Sequence, residues 1–177
     1  MSKIIIYGTK YGSAKRYAEE LSKQTNIKAE SYKKIKNIND YETIIYIGSI
    51  YAGGITGLSK TFRKISNCDN KKIIIATVAL SDPLDEKGSN NIKKMIKKQV
   101  ADEIYNKASI YHLRGEIDYT RLNLVYKTLM KMFCKKLKDI PEEERSADVR
   151  AMIDTYNKTV DFVDFTALEN IIKEIKN

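Results

Sequence analysis

Short runs of β-branched residues, Ile4-Ile5-Ile6, Ile44-Ile45 and Ile73-Ile74-Ile75, recur along this chain with stretches of helical period between them. A strand that is apolar at every position has no polar face to turn to water, so it has to be covered on both sides. Strands separated by helices achieve this by lying parallel, with the crossover helices packed above and below the sheet. The chain is thereby constrained to an α/β fold. Residues 3–7 read as the first strand, followed by a turn at 8–12 and a helix from Ser13 to about Gln24 with Tyr17, Ala18 and Leu21 on one side. Further strands are expected over 27–32, over 43–47 with a stop at Gly48, and over 72–78, and Ser109 opens a fifth. One helix is expected over 58–65. Another runs through Ile92, Met95, Ile96, Val100 and Ile104, with Lys93, Lys94, Lys97 and Lys98 facing water.

The alternation then breaks. Residues 113–158 read as mostly helical before Thr159-Val160-Asp161-Phe162-Val163 resumes an extended pattern, which predicts an insertion interrupting strand five. Thr166 with Glu169 three positions later reads as a capping box for a last helix carrying Leu168, Ile171, Ile172 and Ile175. At 177 residues the chain suits a single domain. Its two cysteines, Cys68 and Cys134, are far apart and in no C-x-x-C pair, so neither a disulfide framework nor a zinc site is expected, and a reducing cytoplasm fits. Both read as partly buried thiols rather than nucleophiles. The longest apolar-leaning run, over residues 73–80, is far short of the roughly 20 residues that span a bilayer. The net charge of +9 suits an acidic partner, a nucleic acid or an anionic membrane, or only wet lysine faces. No nucleic-acid signature accompanies it, so no nucleic-acid partner is expected.

Three loops leave the carboxyl ends of strands, where open parallel sheets place their ligands. The first, Thr9-Lys10-Tyr11-Gly12-Ser13-Ala14, joins strand one to a helix and combines hydroxyls, a glycine that permits close backbone approach, and the N–H groups of a helix start. These suit a phosphate, although the same residues serve as ordinary turn and N-cap chemistry. The loop has neither the spacing of a Walker A motif nor the three glycines of a dinucleotide fingerprint, which leaves a mononucleotide. The second loop holds Ser49, Ile50, Tyr51, Ala52 and Gly53, where a flat ring could lie against Tyr51; a tyrosine there also serves as a lid over the core. The third holds Thr77, Val78, Ala79 and Leu80.

On these residues the chain resembles the flavodoxin family over nearly its whole length. The resemblance implies a doubly wound five-stranded parallel sheet in the order 2-1-3-4-5. It further implies FMN as cofactor, its phosphate in the first loop and its ring between the second and third. The chain is similar in particular to the menaquinone-dependent protoporphyrinogen oxidase branch, through Gly48-Ser49-Ile50 with Gly53 in the second loop, His112-Leu113-Arg114-Gly115, the helical stretch 119–133, and Val160-Asp161-Phe162-Val163-Asp164-Phe165. That branch implies an oxidoreductase passing electrons between a porphyrinogen and a quinone, or to a redox partner protein. The flavin carries such chemistry itself, so no catalytic side chain is assigned, and no metal. Two departures stand out: Ala14 replaces the family's usual threonine, and the branch's pattern does not account for residues 135–157. Two other readings remain, a flavodoxin-type electron carrier without its own small-molecule substrate and a cofactor-free interaction module.

Residues 119–138 contain no acid and six bases, Arg121, Lys127, Lys131, Lys135, Lys136 and Lys138. At about 100° per residue, Leu122, Val125, Tyr126, Leu129, Met130 and Phe133 share a face, with Lys127, Lys131, Lys135 and Lys138 opposite. Such a helix either packs its apolar face on the domain or lies on an anionic membrane, making the protein peripheral to it. His112, the one histidine, reads as structural because no paired Cys, Asp or Glu accompanies it.

Overall fold

The computed structural model describes residues 2–51, 53–84, 86–122, 124–145 and 147–177. In chain order the elements are β1 (Lys3–Gly8), α1 (Ser13–Thr25), β2 (Ala29–Ser31), β3 (Thr43–Tyr51), β4 (Gly54–Ile55), α2 (Leu58–Phe62), β5 (Lys72–Ala79), α3 (Glu86–Lys97), α4 (Asp102–Lys107) and β6 (Ser109–Arg114). They continue with β7 (Glu116–Asp118), α5 (Leu124–Lys138), α6 (Ala147–Asp154), β8 (Thr159–Asp161) and α7 (Glu169–Lys176). The main sheet runs β2-β1-β3-β5-β6, all parallel, which is the expected order 2-1-3-4-5.

Alternate residues of the isoleucine runs supply two cores. Ile4, Ile6, Ile44, Tyr46, Ile73 and Ile75 meet Leu58 and Phe62 of α2, Ile92 and Ile96 of α3, and Ile104 of α4. Ile5, Ile45, Ile47, Ile74 and Ala76 meet Tyr17, Ala18 and Leu21 of α1 and Ile171 and Ile175 of α7. Each fully buried isoleucine contributes about 1.5–3 kcal/mol relative to an exposed one. The doubly apolar strands are thus accounted for by helices on both faces.

Several expected boundaries move. Strand three does not stop at Gly48: β3 continues to Tyr51 and folds back antiparallel on β4, with Gly53 at φ +75° in the turn. The expected helix through residue 104 is two helices. Ala101 takes an extended conformation, and Asp102 and Glu103 begin α4, where carboxylates favour the positive end of the new helix dipole. At the C-terminus Thr166 does not cap the last helix: it lies in a 3-10 turn, Phe165–Leu168, capped by Asp164, whose carboxylate accepts from both the Thr166 N–H (2.9 Å) and hydroxyl (2.7 Å), and α7 follows directly on that turn.

Strand five ends at Arg114, and of residues 159–163 only β8 forms a strand. It pairs antiparallel with β7 in a separate two-stranded sheet and does not extend the main one. The insertion has its own small core of Ile117, Tyr119 and Leu122, with Leu80, Met130, Tyr156 and Val160 packed on it. The long basic helix begins at Leu124, later than its sequence pattern implies, because Tyr119–Arg121 forms a 3-10 turn capped by Asp118 and Leu122 is extended. The side chains of Arg121 and Tyr126 lie outside the described residues. Among the described residues no helix is long and apolar enough to cross a membrane.

Candidate functional site

The loops after β1, β3 and β5 open on one cavity of about 610 Å³. Its walls are mostly apolar. Tyr11 and Ser13 come from the first loop, Ser49, Ile50, Tyr51 and Gly53 from the second, and Val78, Ala79 and Leu80 from the third. The insertion closes the far side with Glu116, Ile117, Leu122, Leu129, Met130, Phe133 and Met152. Ala52 lies outside the described residues.

The first loop is held in shape from within. The Thr9 hydroxyl accepts from the Gly12 N–H (2.9 Å), and the Ser49 hydroxyl accepts from the Lys10 N–H (3.2 Å), joining the first two loops. Gly12 sits at φ +120°, a conformation that side-chain-bearing residues rarely adopt. Among the described residues no side chain caps α1, so the first N–H groups of the helix face the loop, where the helix dipole favours negative charge. Gly8 is required for a different reason: a Cβ there would fall 1.8 Å from the Thr56 carbonyl oxygen, so only glycine lets the hairpin pass over the end of β1.

Ser13 and Ala14 face inward. Ser13 is buried, and its hydroxyl accepts from the Glu116 N–H (3.0 Å), while the Ala14 methyl packs in the core beneath α1. Both can reach an anion only through backbone N–H groups. Thr77 is also turned away, its fully buried hydroxyl 2.7 Å from His112 Nδ1. His112 Nε2 is buried with no partner among the described residues, and burial first, then the charge of Lys93, holds the imidazole below its ordinary pKa. His112 is thus a neutral support for the third loop. The two thiols, Cys68 and Cys134, are buried, and burial is the main cause of their raised pKa values.

Tyr11 and Tyr51 meet edge to face, with ring centroids 6.0 Å apart, and Lys10 Nζ stands 5.0 Å from the Tyr51 ring centre. Two aromatic rings at the mouth of an apolar cavity suit a flat ligand. Glycine at the helix start, the N–H groups there and this apolar slot together fit a ligand with one phosphate and a flat ring.

The insertion's contribution was not foreseen from the sequence. Arg16 pairs with Glu116 and with Asp161 (2.8 Å), and the Tyr17 hydroxyl donates to the Arg114 carbonyl (2.8 Å) and accepts from the Asp164 N–H (2.9 Å). Ser13, Arg16 and Tyr17 share one face of α1 at i, i+3 and i+4, so the helix behind the first loop grips both ends of the insertion. That spacing was the available signal, but the partners lie about 100 and 145 residues away in sequence.

A parallel sheet with a mononucleotide-type loop and a flat apolar slot at its carboxyl edge defines a nucleotide-binding α/β protein of the doubly wound class. A family model described as flavodoxin domain matches residues 4–144, and the chain belongs to that family. Solved structures similar to it include a putative flavoprotein from Bacteroides uniformis, at 12% identity, covering 64% of this chain and 90% of that one, with a TM-score of 0.46. A flavodoxin from Archaea is 16% identical, with 87% and 95% covered and a TM-score of 0.36. A Fusobacterium nucleatum flavodoxin mutant bound to flavin mononucleotide is 16% identical, with 66% and 77% covered and a TM-score of 0.38. No curated protein matches the chain.

Proposed function

We propose that this protein binds FMN in the 610 Å³ cavity and transfers electrons through it. The observation that carries the reading is the junction of an uncapped helix start behind Gly12 with an apolar slot between Tyr11, Tyr51 and the third loop. Membership of the flavodoxin family supports it. Backbone N–H groups of Ser13 and Ala14 would hold the phosphate, with Gly12 giving it room to approach, and Tyr11, Tyr51, Val78 and Leu80 would flank the ring. When bound, the flavin accepts and returns electrons. The chain's own residues fix its orientation and keep water from one face. Mass spectrometry of the cofactor released from purified protein tests this. FMN is expected; FAD alone, or no affinity for added FMN, overturns it.

The finer reading is a substrate-handling oxidoreductase that takes electrons from a porphyrinogen and delivers them to a quinone. It is supported by the apolar side that Leu122, Leu129, Met130, Phe133 and Met152 add to the cavity, which a carrier serving only protein partners does not require. Anaerobic mixing separates the two: bleaching of bound flavin by a porphyrinogen and recovery on adding a quinone support the oxidase. Reduction only by a redox protein supports the carrier.

A further inference from the structure

Eight large apolar side chains are exposed among the described residues, and five of them, Leu124, Val125, Leu129, Met132 and Phe133, belong to α5. They are not marginal, with Leu124 82% exposed, Val125 66%, Met132 59% and Phe133 50%. Scattered exposed apolar residues need no explanation, but a contiguous stripe on one helix does. Projected at about 100° per residue, α5 has three faces. Cys134, with Met130 and Leu137 beside it, packs toward the protein. Val125, Leu129, Met132 and Phe133 form an outward apolar stripe, with Leu124 at the helix start. Lys127, Lys131, Lys135 and Lys138 form a third row, and Lys136 sits within the stripe.

The charge selects the occupant. Residues 119–138 hold no acid, and none of these lysines pairs with an acid among the described residues. The acids that follow, Asp139, Glu142, Glu143 and Glu144, lie beyond the end of the helix. A second copy of the chain would bring the same lysines, and a net charge of +9, against its own. A surface that is apolar within and anionic at its boundary satisfies both rows at once: the stripe enters the acyl region, and the lysine stems extend so that their ammonium groups reach the headgroups.

We propose that α5 is an in-plane anchor that docks this protein on an anionic lipid surface. Leu129 and Phe133 belong to both the stripe and the cavity wall, so docking sets that side of the cavity against the bilayer. The anchor does not depend on the identity of the cofactor. It depends on salt, because the lysine attraction is screened within about 10 Å at 0.1 M and about 3 Å at 1 M.

Co-sedimentation of the full chain with vesicles tests it, using phosphatidylcholine alone and a mixture of phosphatidylcholine with phosphatidylglycerol. Binding to the mixture at low salt, and binding weaker on the order of a hundredfold or more to phosphatidylcholine alone or at high salt, is expected. Replacing Lys127, Lys131 and Lys135 together with Gln should weaken binding on the order of a hundredfold, at about fivefold per lysine. A Val125→Ser, Met132→Ser double variant should also release the vesicles while leaving the melting temperature unchanged, since neither side chain is in the core. No binding to the anionic vesicles, equal binding to both compositions, or full binding by the lysine variant overturns the proposal. So does a concentration-dependent dimer in analytical ultracentrifugation that the Val125→Ser, Met132→Ser variant abolishes, because the stripe is then a self-interface.

Discussion

The parallel sheet and the insertion are both rich in apolar residues, yet they use them in opposite ways. In the sheet, Ile4 to Ile6, Ile44, Ile45 and Ile73 to Ile75 are buried from both sides by α1, α2, α3, α4 and α7. Among the described residues of the insertion, Ile117, Tyr119 and Leu122 form the buried cluster, Cys134 is the well-buried residue of α5, and the outer stripe of α5 is left to the solvent. The sheet's apolar residues make the fold, while those of the insertion also wall a cavity and form a surface. The two regions meet at α1, where Ser13, Arg16 and Tyr17 hold residues 114–116 and 161–164.

This contrast makes its largest prediction for stability. Ile45→Ala should cost about 2–5 kcal/mol of global stability, because it opens a cavity in a strand packed on both faces. Leu122→Ala should cost less and act locally, removing hydrogen-exchange protection from β7, β8 and α5 while β1, β3 and β5 keep theirs. Equal losses in denaturant melts, with the whole chain losing protection together, would erase the distinction between the regions.

Ligand binding should divide the molecule differently. Gly12→Val forces a β-branched residue to φ +120° and blocks backbone approach at the helix start. With strain of about 1–3 kcal/mol, FMN should bind about 10- to 100-fold more weakly in fluorescence titration, with little change in the protection of the sheet. Unchanged affinity would place the phosphate elsewhere.

Glu116 is where the two regions share a charge. Its carboxylate lies beside Gly12, 3.3 Å from where a Cβ would stand, and pairs with Arg16. Glu116→Gln removes an anion next to a dianionic phosphate and leaves Arg16 paired with Asp161 alone, so FMN should bind about fivefold more tightly at low salt, an effect of about 1 kcal/mol. The same variant should loosen the insertion's grip on α1, read as faster exchange in β7. Weaker FMN binding would mean that the ion pair supports the loop more than its charge opposes the ligand.

The smallest expected effect is a pH dependence at the edge of the sheet. His112 has a lowered pKa in the folded protein, through burial and then Lys93, so below its ordinary value of about 6.5 the unfolded chain takes up a proton that the folded chain resists. The stability it contributes is complete above that pH and is lost as pH falls through the folded value. Melting temperatures of the wild type and His112→Gln should therefore converge on acidification from pH 7.5 to 5.5. Parallel curves would mean that another group governs the acid side.

The positions of the strands were legible in the sequence because continuous β-branched runs call for a parallel sheet covered on both faces, whereas the order of the strands came only from the family resemblance. The turn from β1 into α1 was legible for a similar local reason: Gly12 and Ser13 at a strand-to-helix junction specify a backbone conformation within a few residues. Boundaries set by distant partners were not. The continuation of β3 into a hairpin depends on Ile55 and Thr56 folding back over Gly8, and the break between α3 and α4 falls where the Gln99 side chain accepts from the Ile55 N–H (3.3 Å). Periodicity could show that residues 119–138 are amphipathic, but not which apolar residues would find a partner. The tertiary structure decided that, since Leu122 and Met130 reach the insertion's small core while Val125 and Met132 stay exposed. The turning inward of Ser13 and Thr77 was decided in the same way, by Glu116 and His112, because a hydroxyl's direction follows its nearest partner in space rather than its neighbours in the chain.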